Sequence, residues 1–385
     1  MARYRAMAAP ARGAIKITSV KALQLDFQTD GCLVRIETDA GITGYGETGV
    51  DARMARARIP QYRLVGGDPL SIERHFQTMT GAIHPFLPSI PLISGLDIAL
   101  WDLAGKILNV PVYKLMGGPQ RDSVAMYSHG DFLKDMSPAS CREWAQMIKE
   151  QPEGFSAYKI EPNQALPKET VGPVVTTGQL TRIARGFANV REAVGDSIDI
   201  AVHCHNQWDT PSAIAVSRAT ESINPLFIED PLSNVEFCEG WVAIKRGTRT
   251  PVLTGEKLEL VKQYKPFVDS QAVDVIHPDI SFAGGLSGLR KIADYAQLYR
   301  TPVALHNIGS LVRTYAAVHL AASIPNFYRS ECRLGRPGRM YEKMALNQPP
   351  VIKNSQFQLP DGPGLGLEID PAFMKAHTPA GEDWA

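Results

Sequence analysis

Ionisable residues lie at the ends of successive strand-like runs from residue 159 onward, where a core strand would be expected to be apolar. Histidine, lysine and acidic side chains in such places can bind a cation, transfer a proton or hold an anionic substrate. The residues concerned are Lys159 and Glu161, His203 and His205, Glu229, Glu256, Asp279, His306 and Glu331. Their recurrence in one run after another predicts a shared site.

Three of these residues predict a metal site. His203, Glu229 and Glu256 follow one another at intervals of about one strand-plus-helix unit, so we expect them at similar heights on three adjacent strands. Carboxylate oxygens and an imidazole nitrogen that converge in this way suit a divalent cation. The alternative is that the acids are solvated loop residues or partners of basic groups.

Asp279 and His306 end the next two runs and predict a general base. A carboxylate that accepts the second N–H of an imidazole fixes the tautomer and raises the basicity of the outward nitrogen. A structural His–Asp pair is the alternative. Because side chains alternate faces along a strand, we also expect Lys159 and Glu161 to share one face, and His203 and His205 to share another.

Eight β-type runs alternate with amphipathic stretches from about residue 123 onward. The runs are VAMYSHG, AYKIEP, DIAVHCH, PLFIEDP, PVLTGE, DVIHPDI, PVALHNI and FYRSEC. Helical stretches such as LTRIARGFANVREAVG are long enough to cross between parallel strands. This pattern predicts an α/β protein with a (β/α)₈ barrel, whose active site lies at the carboxyl ends of its strands.

The first part of the chain has a different pattern. Residues 16–50 alternate apolar and polar side chains around the turns Asp30-Gly31 and Asp39-Ala40-Gly41, which predicts an antiparallel meander. The stretch SGLDIALWDLAGKIL has apolar residues at helical spacing, and Asn109-Val110-Pro111 ends it. Together they predict an α+β domain that precedes the barrel.

Composition limits the partners of the protein. The chain of 385 residues has 40 Lys and Arg against 40 Asp and Glu, so its formal net charge is zero. This balance argues against a nucleic-acid partner. Its five cysteines form no Cys-x-x-Cys pair and suit a reducing compartment. Because no run reaches the length of a membrane span, we expect a cytoplasmic protein with a small-molecule partner and no membrane partner.

Several motifs, in order, resemble the enolase superfamily and its mandelate racemase subgroup in particular. They are SGLDIALWDLAGKILNVPVYKLMGG, FIEDP, TGEKL, VIHPDISFAGGLSGLRKIADYA, ALHN, IPNFYRSE and GPGLGLEID. The resemblance spans nearly the whole chain, from about residue 16 to residue 370. It implies a modified TIM barrel beneath an α+β capping domain, and assembly into a homo-oligomer such as a dimer or octamer.

The resemblance also implies a division of the chain. We expect a loose extension over residues 1–15, the capping domain over 16–121, the barrel over 122–345 and a segment over 346–385 that returns to the cap. Two loops of the cap, around Phe27–Gly31 and around His84–Ser89, would then close over the substrate.

Position by position, the resemblance implies roles for the strand-end residues. Glu229 and Glu256 match two ligands of a Mg²⁺ ion that holds a substrate carboxylate, while His306 and Asp279 match the dyad that removes the α-proton. Glu331 matches an acid that hydrogen-bonds the substrate carboxylate.

Three positions on the second and third strands bear on the chemistry. Lys159 matches the first lysine of the second-strand motif and is a candidate base or carboxylate contact, with a salt bridge to Glu161 as the alternative. Glu161 replaces the second lysine, which argues against a two-base racemase, and is itself a candidate for substrate binding. His203 replaces an aspartate ligand, which removes one negative charge and favours Mn²⁺, Fe²⁺ or Zn²⁺ over Mg²⁺.

His205 matches a histidine of the acid-sugar dehydratases of this subgroup, such as the galactonate and mannonate dehydratases. In the mechanism this implies, His306 removes the C2 proton and His205 protonates the leaving 3-hydroxyl, which gives a 2-keto-3-deoxy acid. The insert PNQALPKETVGPVVTTGQ resembles the loop that such dehydratases place over the site. The protein is therefore predicted to be a lyase of carbohydrate acid catabolism.

Two other functions stay open at this stage. One is a cycloisomerase or lyase that acts on a cyclic or anhydro sugar acid. The other is a catalytically weak sugar-acid-binding or regulatory protein with an altered metal site, which the exchanges at His203 and Glu161 would permit.

Weaker signals complete the sequence-based prediction. His129 and Trp208 are candidates for substrate binding, although a structural role is as common for each residue type. Gly44-Tyr45-Gly46-Glu47-Thr48-Gly49 satisfies the dinucleotide-binding pattern G-x-G-x-x-G. The antiparallel pairing that the preceding turn predicts argues against that function.

Overall fold

A computed structural model of the chain describes residues 15–27, 31–81, 89–167, 172–333, 341–346, 352–380 and 382. Its first layer is a three-stranded antiparallel sheet with the order β1-β2-β3, formed by β1 (Ile17–Leu23), β2 (Cys32–Thr38) and β3 (Thr43–Thr48). The β2–β3 turn closes where the backbone N–H of Thr38 donates to the carbonyl oxygen of Ile42 at 3.2 Å. The predicted antiparallel meander is confirmed.

Within the described residues, four α-helices lie between this sheet and the next strand in the chain. They are α1 (Ala52–Arg58), α2 (Ile72–Thr80), α3 (Ile90–Leu108) and α4 (Val112–Leu115). Helix α3 ends as predicted, because Asn109 adopts a left-handed conformation with φ of 54° and Pro111 follows. Most of α3 is buried on every side, since it lies between the sheet and the barrel.

Glycines allow β3 to lie directly against α3. A Cβ atom on Gly46 would lie 1.9 Å from the carbonyl oxygen of Gly95 in α3, and one on Gly49 would lie 2.4 Å from the ring of Phe282. The G-x-G-x-x-G pattern therefore serves close packing. It lies in an antiparallel strand, where the strand-to-helix geometry of a dinucleotide site is absent.

The second part of the chain is a closed barrel of eight parallel strands, which confirms the predicted fold class. In chain order and in spatial order these are β4 (Ser123–His129), β5 (Ala157–Ile160), β6 (Asp199–His203), β7 (Ile228–Glu229), β8 (Val252–Thr254), β9 (Val275–Ile276), β10 (Val303–Leu305) and β11 (Phe327–Glu331). Pairing of Ser330 in β11 with Met126 in β4 closes the barrel.

Helices connect these strands on the outside. They are α5 (Pro138–Lys149), α6 (Thr177–Val194), α7 (Thr210–Thr220), α8 (Cys238–Gly247), α9 (Leu260–Asp269), α10 (Gly285–Leu298) and α11 (Leu311–Ser323). Inside the barrel, inward-facing apolar side chains form one layer, to which Ala157 and Ala201 belong. The next inward-facing residue on the same strand, two positions later, is ionisable: Lys159 follows Ala157, and His203 follows Ala201. This alternation places the ionisable side chains at the mouth of the barrel.

The C-terminal part of the chain contacts both layers. A hairpin of β12 (Ile352–Lys353) and β13 (Gln356–Gln358) pairs antiparallel with β4, and α12 (Pro371–Ala376) follows. Asp102 of α3 accepts hydrogen bonds from the backbone N–H groups of Tyr45, at 2.9 Å, and Leu365, at 2.8 Å. One buried carboxylate thus joins the sheet, α3 and the C-terminal segment.

Some predictions fall wholly or partly outside the described residues. These are the extension over 1–15 apart from its last residue, the cap loops at 28–30 and 82–88, and residues 168–171 of the insert. The domain boundaries at 121 and 345 stay predictions. Within the described part of the chain, no helix is long and apolar enough to cross a membrane.

The close approach of β3 and α3 predicts that Gly46→Ala destabilises the fold. The added methyl group would overlap the Gly95 carbonyl, so we expect the free energy of unfolding to fall by at least about 2 kcal/mol. Thermal unfolding measures this change. Gly178→Ala is the matched control, because nothing lies within 4 Å of a Cβ there. Equal midpoints for the two variants would contradict the packing argument.

Candidate active site

A cavity of about 540 Å³ opens at the mouth of the barrel. Residues from seven of the eight strand ends or the loops that follow them line it. They are His129, Asp131, Lys159, Glu161, His203, His205, Glu256, Lys257, Glu259, Phe282, His306, Ile308 and Arg333. The cavity thus collects most of the residues that the sequence predicts for the site.

His203, Glu229 and Glu256 come together at one side of this cavity. One ligand atom from each residue lies within 4.8 Å of the other two, and His203 Nδ1 lies 2.8 Å from Glu229 Oε1. Register places His203 beside Glu229 on adjacent strands β6 and β7. The predicted convergence of these three side chains is therefore present in the structure.

The donor set fits a divalent cation. Glu229 Oε2 is shielded from solvent, and no residue within the described ranges donates a hydrogen bond to it. Burial would raise the pKa of Glu256, but the charges of His306 and Lys159 lower it to about 2. The same balance, with His203 and Lys159 as the main positive groups, holds the pKa of Glu229 well below its usual range. Two ionised carboxylates and an imidazole are thus available as ligands.

Lys159 lines the same cavity and is almost fully buried, with 3% of its surface exposed. Its ammonium donates to Glu229 Oε1 at 2.9 Å and to Glu331 Oε2 at 3.0 Å. Burial would lower the pKa of Lys159, but these carboxylates raise it above its usual range. The alternative considered for Lys159, a salt bridge to Glu161, is not what the structure has: its partners are Glu229 and Glu331. A lysine held in this way is charged and unsuited to act as a base.

Glu331 is fully buried and does not line the cavity. Its carboxylate contacts His129 Nε2 and accepts hydrogen bonds from Lys159 and, at 3.3 Å, from the backbone N–H of Asn307. Burial opposes ionisation of Glu331, but Lys159 and His129 hold its pKa well below the usual range. The resemblance implies that Glu331 hydrogen-bonds the substrate carboxylate. In the structure its partners are residues of the chain itself.

His306 and Asp279 form the predicted dyad. His306 Nδ1 lies 2.6 Å from Asp279 Oδ2. The backbone N–H of Ser281 donates a hydrogen bond to the other carboxylate oxygen, Asp279 Oδ1, at 2.6 Å. The outward His306 Nε2 lies 3.2 Å from Glu256 Oε2. This geometry leaves Nε2 as the nitrogen that faces the cavity.

Negative charge surrounds this imidazole. Burial would lower the pKa of His306, but Glu331, Glu256 and the hydrogen bond to Asp279 raise it to about 9. A cation bound to Glu256 would cancel part of that charge and lower the pKa towards the range of a base at neutral pH. The basicity of His306 and the metal site are therefore linked.

His205 reaches the same region by a different route from the predicted one. Strand β6 ends at His203, and His205 and Asn206 follow in a left-handed turn with φ of 51° and 56°. This turn, rather than strand alternation, brings the His205 and His203 rings to a centroid distance of 3.7 Å. His205 Nδ1 lies 3.5 Å from Glu161 Oε1. Burial and the charge of His203 lower the pKa of His205 to about 4.

Two predicted substrate contacts have other surroundings. Trp208 is fully buried in the core beside Leu232 and does not line the cavity, so its geometry gives no support for stacking on a ligand. His129 lines the cavity, although its Nε2 is taken by Glu331. Burial lowers the pKa of His129 to about 4 against the opposing effect of Glu331.

Sequence reasoning missed several residues of the site. His277 is fully buried, with Nε2 at 3.5 Å from Glu229 Oε1. The alternation of Val275, His277 and Asp279 along one strand-like run could have predicted that His277 faces the same side as these two residues. Six cavity-lining residues follow strand ends in loops, where periodicity gives no signal. They are Asp131, Lys257, Glu259, Phe282, Ile308 and Arg333.

The position of Lys159 predicts that its charge stabilises the site in the absence of metal. Lys159→Met leaves Glu229 and Glu331 buried without their common cation, so we expect the free energy of unfolding to fall by about 3–5 kcal/mol. Thermal unfolding in a chelator measures this loss, and an added divalent metal should stabilise the variant more than the wild type.

Lys134→Met is the matched control for Lys159→Met. The Lys134 side chain is 71% exposed and its partner Glu143 lies at 3.4 Å, so its loss should change the midpoint little. A Lys159→Met midpoint as high as that of the control would show that Lys159 does not neutralise the buried acids.

Comparison with protein families accounts for both parts of the chain. A model of the N-terminal domain of mandelate racemase / muconate lactonizing enzyme matches residues 15–117. A model described as enolase C-terminal domain-like matches residues 141–373.

Individual proteins are similar over nearly the full length. The D-xylonate dehydratase of Haloferax volcanii is 33% identical, with 96% of this chain and 92% of that protein covered. The D-galactonate dehydratase of Ralstonia pickettii is 30% identical, with 91% and 92% covered. A mandelate racemase/muconate lactonizing enzyme-like protein from Rubrobacter xylanophilus has a crystal structure that superposes with a TM-score of 0.86 at 28% identity, over 96% of this chain and 99% of that one. The chain therefore belongs to the mandelate racemase subgroup of the enolase superfamily.

Proposed function

We propose that this protein is a divalent-metal-dependent acid-sugar dehydratase. The observation that carries the proposal is that one cavity brings the imidazoles of His306 and His205 to the three-residue cation site. Relatives named as D-xylonate, D-gluconate and D-galactonate dehydratases support the same class of reaction. The substrate is then an aldonate or aldarate, a small anion that carries hydroxyl groups next to its carboxylate.

The cation site defines one end of the substrate. His203, Glu229 and Glu256 would hold a divalent ion, which when bound would act as a Lewis acid towards the substrate carboxylate and acidify the neighbouring C–H bond. Because an imidazole nitrogen would be one of the three ligands, the site favours Mn²⁺ or another borderline metal over Mg²⁺. The chain has no net charge, so attraction of the anionic substrate must be local.

His306 is the base in this mechanism. Its Nε2 faces the cavity and takes the proton from C2, while Asp279 accepts the N–H of Nδ1 and stabilises the imidazolium that forms. The partnership also fixes the tautomer that leaves Nε2 free to accept the proton.

His205 is the acid that assists departure of the 3-hydroxyl. The C3–O bond breaks, the proton from His205 leaves with the hydroxide as water, and the resulting enol tautomerises to a 2-keto-3-deoxy acid. Because burial and His203 lower the pKa of His205, its protonated form depends on negative charge nearby. Glu161 at 3.5 Å and the bound substrate supply that charge.

The activity test is a panel of aldonic and aldaric acids with Mn²⁺ or Mg²⁺, run in D₂O. We expect at least one acid to give a 2-keto-3-deoxy product, because both the base and the acid reach one cavity. Mass spectrometry and NMR detect the product and the exchange of the α-proton. Thermal stabilisation by a sugar acid with neither product nor exchange would contradict the dehydratase and favour a binding protein.

Two variants separate the base from the acid in the same assay. His306→Asn should lose both α-proton exchange and product, with a fall in rate of about 10²–10⁴-fold. His205→Asn should lose product while it retains exchange, because the C2 proton is still removed. An unchanged rate of elimination in His205→Asn would remove this residue from the mechanism.

A further inference from the structure

We propose that Arg313 is a positioning residue for the His306–Asp279 dyad and that Glu47, from the N-terminal sheet, holds Arg313 in place. The inference deepens the proposed function and rests on it for its kinetic part. It concerns residues outside the cavity, from two different parts of the chain.

Arg313 lies on α11 and is fully buried. Its Nη1 lies 3.9 Å from Asp279 Oδ2, the same oxygen that receives the N–H of His306. Its guanidinium also lies over the ring of Phe282, at 5.7 Å, and Phe282 lines the cavity. Arg313 is therefore packed against both the dyad and the cavity wall.

Glu47 approaches Arg313 from β3 and is 1% exposed. Its Oε1 lies 3.6 Å from Arg313 Nη2. The backbone N–H of Ser310 donates to both Glu47 oxygens at 3.1 Å, and that of Arg313 donates to Oε2 at 3.3 Å. Glu47 thus sits at the N-terminus of α11, where a helix favours negative charge.

The charge pattern explains why a guanidinium is needed here. Arg313 lies between two buried carboxylates, Glu47 and Asp279, and a buried carboxylate without a positive neighbour is costly. Asp279 must remain an acceptor for His306 while the proton on C2 is transferred. The guanidinium charge, 3.9 Å away, favours this position of the carboxylate, and Glu47, which contacts Arg313, links it to the packing of the N-terminal sheet.

The kinetic test compares Arg313→Met, Arg313→Lys and Glu47→Gln with the wild type. For Arg313→Met we expect kcat to fall about 100-fold, with KM and metal affinity changed by less than about threefold. Arg313→Lys should recover part of the loss. If Arg313→Met fails to fold, the two conservative variants carry the test. Ser287→Ala is the control, because it removes another contact between the two layers, the hydrogen bond from Trp101 Nε1 at 2.9 Å.

A spectroscopic measurement separates this inference from the proposed function. The proton between His306 Nδ1 and Asp279 should give a downfield NMR signal, identified by its loss in His306→Asn. We expect the signal to move in Arg313→Met or Arg313→Lys and to stay in place in Ser287→Ala, whether or not any sugar acid is converted. The positioning role would be overturned by an unmoved signal. It would also be overturned if KM rose and metal affinity fell by as large a factor as kcat fell.

Discussion

The structure depends on how the barrel mouth accommodates buried negative charge. Glu229, Glu256, Asp279 and Glu331 all lie in the interior or at its edge, where an ionised carboxylate without a partner is unfavourable. Lys159 neutralises part of this charge by bridging Glu229 and Glu331. The remaining negative charge on Glu229 and Glu256 favours a bound cation. The same balance sets the state of the histidines, because His306 experiences the acids that would bind the metal.

The barrel and the N-terminal sheet both contribute residues to this balance of buried charge. Strand alternation in the barrel places an apolar layer below and an ionisable layer above it, which supplies the metal-site residues and the floor of the cavity. The N-terminal sheet reaches the dyad from outside through close packing of β3. The glycines of β3 allow that approach, and Glu47 on the same strand contacts the helix that carries Arg313. A single strand therefore combines packing with a polar contact behind the base.

Much of this arrangement could be predicted from the sequence. The barrel follows from eight regularly spaced runs, and the metal-site and dyad residues follow from the polar ends of those runs, because strand ends in a barrel must meet. Partnerships inside the barrel were not predictable. For Lys159 the sequence left a base, a carboxylate contact and a salt bridge to Glu161 open, whereas inward-pointing strand neighbours bring Lys159 to Glu229 and Glu331. Contacts made by loops, such as that of His205, depend on turn conformations that alternation does not describe.

Metal analysis of the wild type and of His203→Asp tests the proposed cation site most directly. We expect the wild type to bind one divalent ion per chain with a preference for Mn²⁺ or Zn²⁺ over Mg²⁺, and His203→Asp to shift the preference towards Mg²⁺. His205→Asn, which alters the neighbouring ring, should keep the preference of the wild type. Competition experiments read by elemental analysis give the ratio without any activity measurement. Unchanged stoichiometry and preference in His203→Asp would contradict a metal site that includes His203.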